Sequence, residues 1–158
     1  MTELQIGQNA PDFSLPTNND GTTALGDYKG KMLVLFFYPK DDTPGCTKEA
    51  IGFTENKDSF EAEGADILGV SRDTVSKHDK FVAKHELKIA LGADETGKVT
   101  EDYGVWVEKN MYGKKYMGIE RATYLIGVDG KILEIWRKVR VKDHVEKVLE
   151  AVKAHAKT

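Results

Sequence analysis

Residues 32–46 have the sequence Met-Leu-Val-Leu-Phe-Phe-Tyr-Pro-Lys-Asp-Asp-Thr-Pro-Gly-Cys, and this stretch decides the fold. Its first seven residues form a continuous apolar run, which predicts a strand buried on both faces. The run ends at Pro39 and a polar loop. Thr43 is a good N-cap and Pro44 suits the first helical position, so we expect a helix that begins near Thr43 and ends by Gly64. Cys46 is therefore predicted to lie in the first turn of a helix that follows a buried strand.

Strands and helices alternate on both sides of this stretch. Before it, residues 13–24 predict a small hairpin that turns at Asp20-Gly21. After it, the sequence predicts a buried strand at 66–70 and a helix that begins at a capping box, Ser76–Asp79, and runs to about Leu87. A short strand at 89–92 and a short helix at 96–103 follow. The chain ends with a hairpin that begins at Arg121 and turns at Asp129-Gly130, and with a last helix capped by Asp143. This order predicts an α/β fold with a central mixed sheet flanked by helices.

Length and composition exclude several classes of protein. The 158 residues suit a single domain, 1–158, and a chain of this length can bury about 69% of its surface. The net charge is -3, from 23 basic and 26 acidic residues, and no basic block suits nucleic acid. No apolar run approaches the roughly 20 residues that span a bilayer. The first residues lack the features of a signal peptide, so we expect a cytoplasmic protein.

The sequence contains one cysteine, Cys46. It therefore cannot form an intramolecular disulfide, a two-cysteine zinc motif or a C-x-x-C redox pair. The free N–H groups and the dipole at a helix start favour an anion, and the thiolate is the reactive form of a cysteine. A structural role is the alternative, since free cysteines are often small buried hydrophobes. Thr43 alone could be only an N-cap, Pro39 only a strand terminator, and Arg121 only a surface charge.

The joint spacing of these residues favours a functional site. The pattern Pro39-x-x-x-Thr43-x-x-Cys46 after an aromatic-rich strand resembles the active-site signature of the peroxiredoxins. The wider string from Phe37 to Ala50 is similar to the bacterioferritin-comigratory (PrxQ) branch. Ala10-Pro-Asp-Phe-Ser-Leu and Arg121-Ala-Thr-Tyr-Leu-Ile also resemble segments of that family. The resemblance covers nearly the whole chain and implies a thioredoxin-like (peroxiredoxin) fold.

The resemblance implies a role for each of four residues. Cys46 would be the peroxidatic nucleophile, and Thr43 would hydrogen-bond the thiolate and the peroxide. Pro39 would shield the sulfur from water and larger thiols. Arg121 would lie near Cys46 and hold the thiolate and the peroxide oxygens. The implied activity is that of an antioxidant thiol-dependent peroxidase, which reduces hydrogen peroxide and organic hydroperoxides to water and alcohols. We expect no cofactor and no metal. The resemblance suggests a monomer, with a weak dimer as the alternative.

One departure from the family narrows the mechanism. Many PrxQ-like proteins carry a resolving cysteine five residues after the peroxidatic one, where this chain has Ile51. Others carry it on the next long helix, but residues 81–83 contain no cysteine. A sulfenic acid on Cys46 therefore cannot close to an internal disulfide. The sequence predicts a one-cysteine mechanism in which an external thiol, such as thioredoxin, glutaredoxin or glutathione, restores Cys46.

Other enzyme classes fit less well. A cysteine-dependent phosphatase would need an arginine where Gly52 stands. A cysteine protease would need a histidine base, and nothing in the sequence links one to Cys46. The segment Gly26–Lys31 superficially resembles a phosphate loop, but its glycine spacing is one residue short and a predicted strand follows it.

Two further interpretations concern segments outside the motif, and a third concerns the function. His78 and His85 share a helix face, and we expect a solvated or half-buried face there rather than a metal pair. Residues 111–116 are expected to be an exposed loop, or else to line the peroxide pocket. The alternative to an enzyme is a thioredoxin-like domain that acts as a peroxide sensor or as a holdase.

Overall fold

A computed structural model of the chain describes residues 3–157, so residues 1, 2 and 158 of the predicted domain lie outside the described part. Its main feature is a seven-stranded mixed sheet in the order β2-β1-β5-β4-β3-β8-β9. Strands β3, β4 and β5 are parallel, while β8 and β9 form an antiparallel pair on the other side of β3. The strands are β1 Ser14–Thr17, β2 Gly21–Ala24, β3 Met32–Phe37, β4 Ala65–Ser71, β5 Ala90–Ala93, β6 Trp106–Met111, β7 Lys114–Ile119, β8 Ala122–Ile126 and β9 Ile132–Trp136.

Five α-helices and a 3₁₀ turn at Leu25–Tyr28 complete the described fold. The helices are α1 Pro44–Glu55, α2 Lys57–Ala62, α3 Val75–His85, α4 Lys98–Asp102 and α5 His144–Ala156. The predicted mixed α/β architecture is confirmed. No helix among residues 3–157 is long and apolar enough to span a bilayer.

Strand β3 separates two hydrophobic cores because its side chains alternate between the faces of the sheet. Val34 and Phe36 pack with apolar residues of helices α1, α2, α3 and α5. Leu33, Leu35 and Phe37 pack on the opposite face, which includes residues from α4 and from β8. All six residues of β3 are buried, so the prediction of a strand buried on both faces is confirmed.

Two helix boundaries differ from the sequence predictions. The predicted helix from Thr43 to Gly64 is interrupted at Asn56, whose side-chain amide donates to the Gly52 carbonyl at 2.8 Å. This side chain competes with the backbone for a helical acceptor, which is how asparagine disfavours helix interiors. The N-cap of α3 is Thr74 rather than Ser76, because the Thr74 hydroxyl accepts from the Lys77 amide at 3.2 Å.

The expected loop at 111–116 is instead part of a two-stranded hairpin, β6–β7, outside the main sheet. The expectation of exposure is confirmed, since Tyr112 at the turn is fully exposed. Polar and apolar residues do not alternate cleanly in these strands, because most of their side chains face solvent. The usual period-two signal of a half-buried strand is therefore missing.

Candidate active site

Cys46 is the third residue of α1 and lies just beyond the end of β3. Thr43 occupies the N-cap position with an extended backbone, φ -97° and ψ 155°, and Pro44 is the first helical residue. The Cys46 side chain packs into the core beneath α1 and is 1% exposed. The sulfur is thus close to the positive end of a helix and almost inaccessible to solvent.

Arg121 is brought to Cys46 by the antiparallel pairing of β8 with β3. The register pairs Phe37 with Ala122, so the residue before β8 lies beside the end of β3. Arg121 donates through Nη2 to the Cys46 sulfur at 3.3 Å. Gly45 leaves room for this contact, because a Cβ at that position would lie 3.1 Å from Nη2.

Glu49 holds the other side of the Arg121 guanidinium. It lies one helical turn after Cys46, is fully buried, and accepts from Nη1 of Arg121 at 2.7 Å. Burial raises the pKa of Glu49 to about 7, although Arg121 acts in the opposite direction. Burial alone would lower the pKa of Arg121, but Glu49 and Cys46 together raise it above its ordinary value. Arg121 therefore stays charged between the carboxyl and the thiol.

His144 also lies close to Glu49. Its Nε2 lies 2.8 Å from the Thr123 hydroxyl and 4.0 Å from Oε2 of Glu49. Burial, together with Arg121 and Lys147, lowers the pKa of His144 to about 4. The imidazole is consequently neutral at pH 7, so its approach to Glu49 is not an ion pair. Oε2 of Glu49 has no hydrogen-bond partner among residues 3–157.

Glu49 and His144 give opposite pH dependences of stability, which single substitutions should separate. The pKa of Glu49 is raised from 4.5 to about 7, so its stabilising contribution is present below pH 4.5 and is lost as the pH rises through 7. The pKa of His144 is lowered from 6.5 to about 4, so its contribution is present above pH 6.5 and is lost as the pH falls through 4. Urea unfolding of the wild type, Glu49→Gln and His144→Gln from pH 4 to 8 measures both.

The expected result concerns the wild-type free energy of unfolding minus that of each variant. This difference should fall as the pH rises from 4.5 to 7 for Glu49→Gln. It should rise from pH 4 to 6.5 for His144→Gln. Differences that stay flat across these windows would show that the two side chains titrate alike in the folded and unfolded states.

Thr43 and Pro39 lie at the mouth of the site. The Thr43 hydroxyl donates to the Lys40 carbonyl at 2.8 Å and makes no hydrogen bond to Cys46 within the described part of the chain. Because the hydroxyl proton of Thr43 already points to the Lys40 carbonyl, the structure does not show the hydrogen bond from Thr43 to the Cys46 thiolate that the family resemblance implies. Pro39 is exposed and lines an open cleft of about 410 Å³ that also contains Arg121. Lys109 also lines this cleft, and burial together with Arg121 lowers its pKa.

The loop between β3 and α1 is fastened by Asp41. This buried carboxylate accepts from the Tyr38 hydroxyl at 2.6 Å and contacts Nδ1 of His78 at 2.6 Å. The other ring nitrogen of His78 lies 2.9 Å from the Gly92 carbonyl. The backbone N–H of Asp41 donates to Asp73 at 2.8 Å. The expectation of a solvated or half-buried histidine face is wrong for His78, which is fully buried because it satisfies two oxygen acceptors.

Several of these residues were not predicted from the sequence. Glu49 carries a weak signal, since it lies three residues after Cys46 and so shares its helix face. His144 and His78 carry none, because they come from distant parts of the chain. His85 is half-buried and contacts Asp42 at 2.8 Å, so the two helix histidines have different partners. Among residues 3–157, no group of three or more His, Cys, Asp or Glu side chains is placed to hold a metal ion.

The arrangement is suited to a reaction that develops negative charge next to a sulfur. A guanidinium donates to the thiol and is fixed by a buried carboxyl, so its direction is set before any reaction. Arginine suits this role because it stays charged and presents several donors. Fixed donors that point to a developing charge lower the energy of the transition state.

Comparisons with known proteins agree with this geometry. The AhpC/TSA family model matches residues 6–135. Peroxiredoxin Bcp of Bacillus subtilis is 49% identical over 150 residues, which cover 95% of this chain and 96% of that protein. A mutant of Xylella fastidiosa PrxQ is 39% identical, with a TM-score of 0.93 and 99% coverage of both chains. A structure from a study of the alkyl peroxide reduction activity of Xanthomonas campestris bacterioferritin comigratory protein is 44% identical, with a TM-score of 0.87 over 91% of this chain and 92% of that one.

Proposed function

Because the chain belongs to the AhpC/TSA family and is a peroxiredoxin, we propose that it reduces peroxides through Cys46 by a one-cysteine mechanism. The contact of Arg121 with both the Cys46 sulfur and Glu49 carries this proposal. Alkyl peroxide reduction by the Xanthomonas campestris relative supports organic hydroperoxides as substrates beside hydrogen peroxide. The protein acts as an antioxidant monomer in the cytoplasm.

The first half of the cycle is a displacement at oxygen. The Cys46 thiolate attacks one peroxide oxygen, the S–O bond forms, and the O–O bond breaks. The departing oxygen takes the electron pair and then a proton, and leaves as water or an alcohol. Arg121 donates to the developing charge. Since the Thr43 hydroxyl donates its hydrogen bond to the Lys40 carbonyl, its oxygen accepts a hydrogen bond from the peroxide O–H. Pro39 forms one wall of the entrance.

The second half of the cycle needs another molecule. The sequence contains one cysteine, so the sulfenic acid has no internal thiol to react with. A thiol of thioredoxin, glutaredoxin or glutathione attacks the Cys46 sulfur, and the hydroxyl leaves as water. A further thiol then releases Cys46 from the mixed disulfide. The oxidising half of the reaction is therefore independent of any partner, and the reducing half is not.

Stopped-flow mixing of the reduced protein with hydrogen peroxide tests the first half. Cys46 should react at least ~100-fold faster than free cysteine at the same pH, because the fixed donors stabilise the transition state. The Cys46→Ser protein is the blank. A rate no higher than that of free cysteine would rule out the enzymatic proposal.

Turnover tests the second half of the cycle. Peroxide consumption is measured with thioredoxin, with glutaredoxin plus glutathione, and with dithiothreitol. The proposal expects many turnovers per Cys46 with at least one of these reductants. A fast reaction that occurs only once with every reductant would identify a peroxide sensor instead.

A further inference from the structure

Basic residues are concentrated between β9 and α5. Residues 137–142 have the sequence Arg-Lys-Val-Arg-Val-Lys, which places four cations within six residues of a chain whose net charge is -3. Lys147 follows in α5 and faces the same region, where it lines an open cleft together with this segment. This cleft, called the basic cleft below, has a volume of about 590 Å³.

Most of these cations have no acidic partner. Arg137 is paired with Glu3 at 3.3 Å and also donates to the Leu4 carbonyl. The other four make no ion pair with any acidic side chain among residues 3–157; they are Lys138, Arg140, Lys142 and Lys147. Asp143 is the acidic residue of the lining. The surplus of unpaired positive charge favours an anionic ligand.

The basic cleft adjoins the cleft that contains Arg121 and Pro39, because Lys138 and Val139 line both. The backbone N–H of Val139 donates to the Arg121 carbonyl at 3.0 Å, so the basic segment runs directly beside the residue that contacts Cys46. The Arg121 cleft itself is mixed in charge, since Glu108 and Glu120 also line it. Negative groups of a ligand are therefore better placed in the basic cleft than beside Arg121.

We propose that the basic cleft binds the carboxylates of a small anionic thiol, of the size and charge of a tripeptide, that reduces the sulfenic acid of Cys46. This inference rests on the proposed function and names the chemical class of its reductant. The cleft volume lies within the range of about 300–1,000 Å³ that is usual for small-molecule sites. Cys46 is 1% exposed, which favours a small thiol over a protein surface.

The chemistry of this step is balanced by two molecules of the thiol. The first thiolate attacks the Cys46 sulfur, the S–O bond breaks, and the hydroxide takes a proton and leaves as water. The second thiolate attacks the ligand sulfur of the mixed disulfide, and Cys46 departs as a thiolate. Cys46 gains two electrons, and the two ligand thiols are oxidised to one disulfide. The basic cleft acts by raising the local concentration of the anionic thiol and by orienting it.

The test measures how fast preformed Cys46 sulfenic acid is reduced by thiols that differ in charge. The protein is first oxidised with one equivalent of hydrogen peroxide and is then mixed with glutathione, glutathione diethyl ester or 2-mercaptoethanol. We expect glutathione to react about tenfold faster than its ester, and this advantage to shrink at high salt.

Charge-reversal variants test whether the basic cleft causes the faster reaction with glutathione. Arg140→Glu/Lys142→Glu, which changes two exposed residues that line the basic cleft and not the Arg121 cleft, should slow the reaction with glutathione by about tenfold or more and leave that with 2-mercaptoethanol within about twofold. Lys153→Glu/Lys157→Glu is the matched control, because both lysines are exposed at the far end of α5 and outside this lining. It makes the same change in net charge and should alter neither rate. Circular dichroism of each variant checks that the fold is retained.

Two outcomes would overturn the inference. One is equal rates for glutathione and its ester together with an unchanged rate in Arg140→Glu/Lys142→Glu. The other is slow reduction by every small thiol combined with fast reduction by thioredoxin, which would identify a protein reductant. Failure of the proposed function would be visible earlier, because Cys46 would then fail to react rapidly with hydrogen peroxide before any thiol is added.

Discussion

Replacing Arg121 by alanine should lower the second-order rate constant of Cys46 with hydrogen peroxide by about 100-fold, the usual effect of removing one preorganised donor. Arg121 donates to the sulfur at 3.3 Å and is held by Glu49 at 2.7 Å, so its loss removes both the positive charge and its orientation. The pKa of Glu49 should rise further above 7, because Arg121 is the cation that lowers it. Stopped-flow kinetics at fixed pH measure the rate constant.

Two variants make this experiment specific. Arg121→Lys keeps a positive charge but cannot donate to the sulfur and to Glu49 with one planar group, so it should recover only part of the lost rate. Arg137→Ala removes an arginine that pairs with Glu3, and its rate constant should match the wild type. Wild-type kinetics in Arg121→Ala with an intact fold would show that Arg121 has no role in the chemistry.

Replacing His78 by leucine should lower the free energy of unfolding by about 2–6 kcal/mol, because two buried oxygen atoms lose their hydrogen-bond partner and each such loss costs about 1–3 kcal/mol. The substitution leaves the buried Asp41 without its contact to Nδ1 and the Gly92 carbonyl without its donor. Leucine cannot compensate, because it offers no hydrogen-bonding group to either oxygen. Urea unfolding at pH 7, followed by tryptophan fluorescence, measures the change.

His85→Leu is the matched control, since His85 lies on the same helix and also contacts an aspartate. That aspartate, Asp42, is exposed, so the loss should be below about 1 kcal/mol. A double variant, Asp41→Ala/His78→Leu, should be more stable than the sum of the single losses predicts, because no uncompensated carboxylate is left buried. Equal losses for His78→Leu and His85→Leu would mean that burial of the Asp41 contact has no energetic importance.

The elements with strong local signals were predictable from the sequence. The apolar run at 32–38 is buried on both faces because it lies in the centre of a sheet covered on both sides. The start of α1 follows from Thr43 and Pro44, and the β8–β9 hairpin follows from Asp129-Gly130. Cys46 and Arg121 were placed near each other through the family resemblance, and β-sheet register is what brings them into contact.

The remaining features depend on contacts between distant residues. The charge state of Glu49 depends on burial beneath α5, and no local pattern around residue 49 indicates this. His78 became a core residue because Asp41 and Gly92, which are 37 and 14 positions away, supply its two acceptors. The sequence does not predict the break at Asn56, because apolar residues recur at helical spacing on both sides of it, at Phe53 and Phe60, although Lys57 interrupts the stripe. Local propensity and periodicity do not predict these features, because contacts between residues distant in the sequence determine them.

Asp41 joins parts of the chain that would otherwise move separately. Its side chain is bonded to α3, and its backbone to the turn that precedes α3, while the neighbouring Asp42 also contacts α3 through His85. The segment leading to Cys46 is thus anchored to a helix more than 30 positions away. A displacement of this segment must either carry α3 with it or break all of these contacts. The position of the segment that precedes the reactive sulfur is therefore mechanically coupled to a helix that touches none of the reacting atoms.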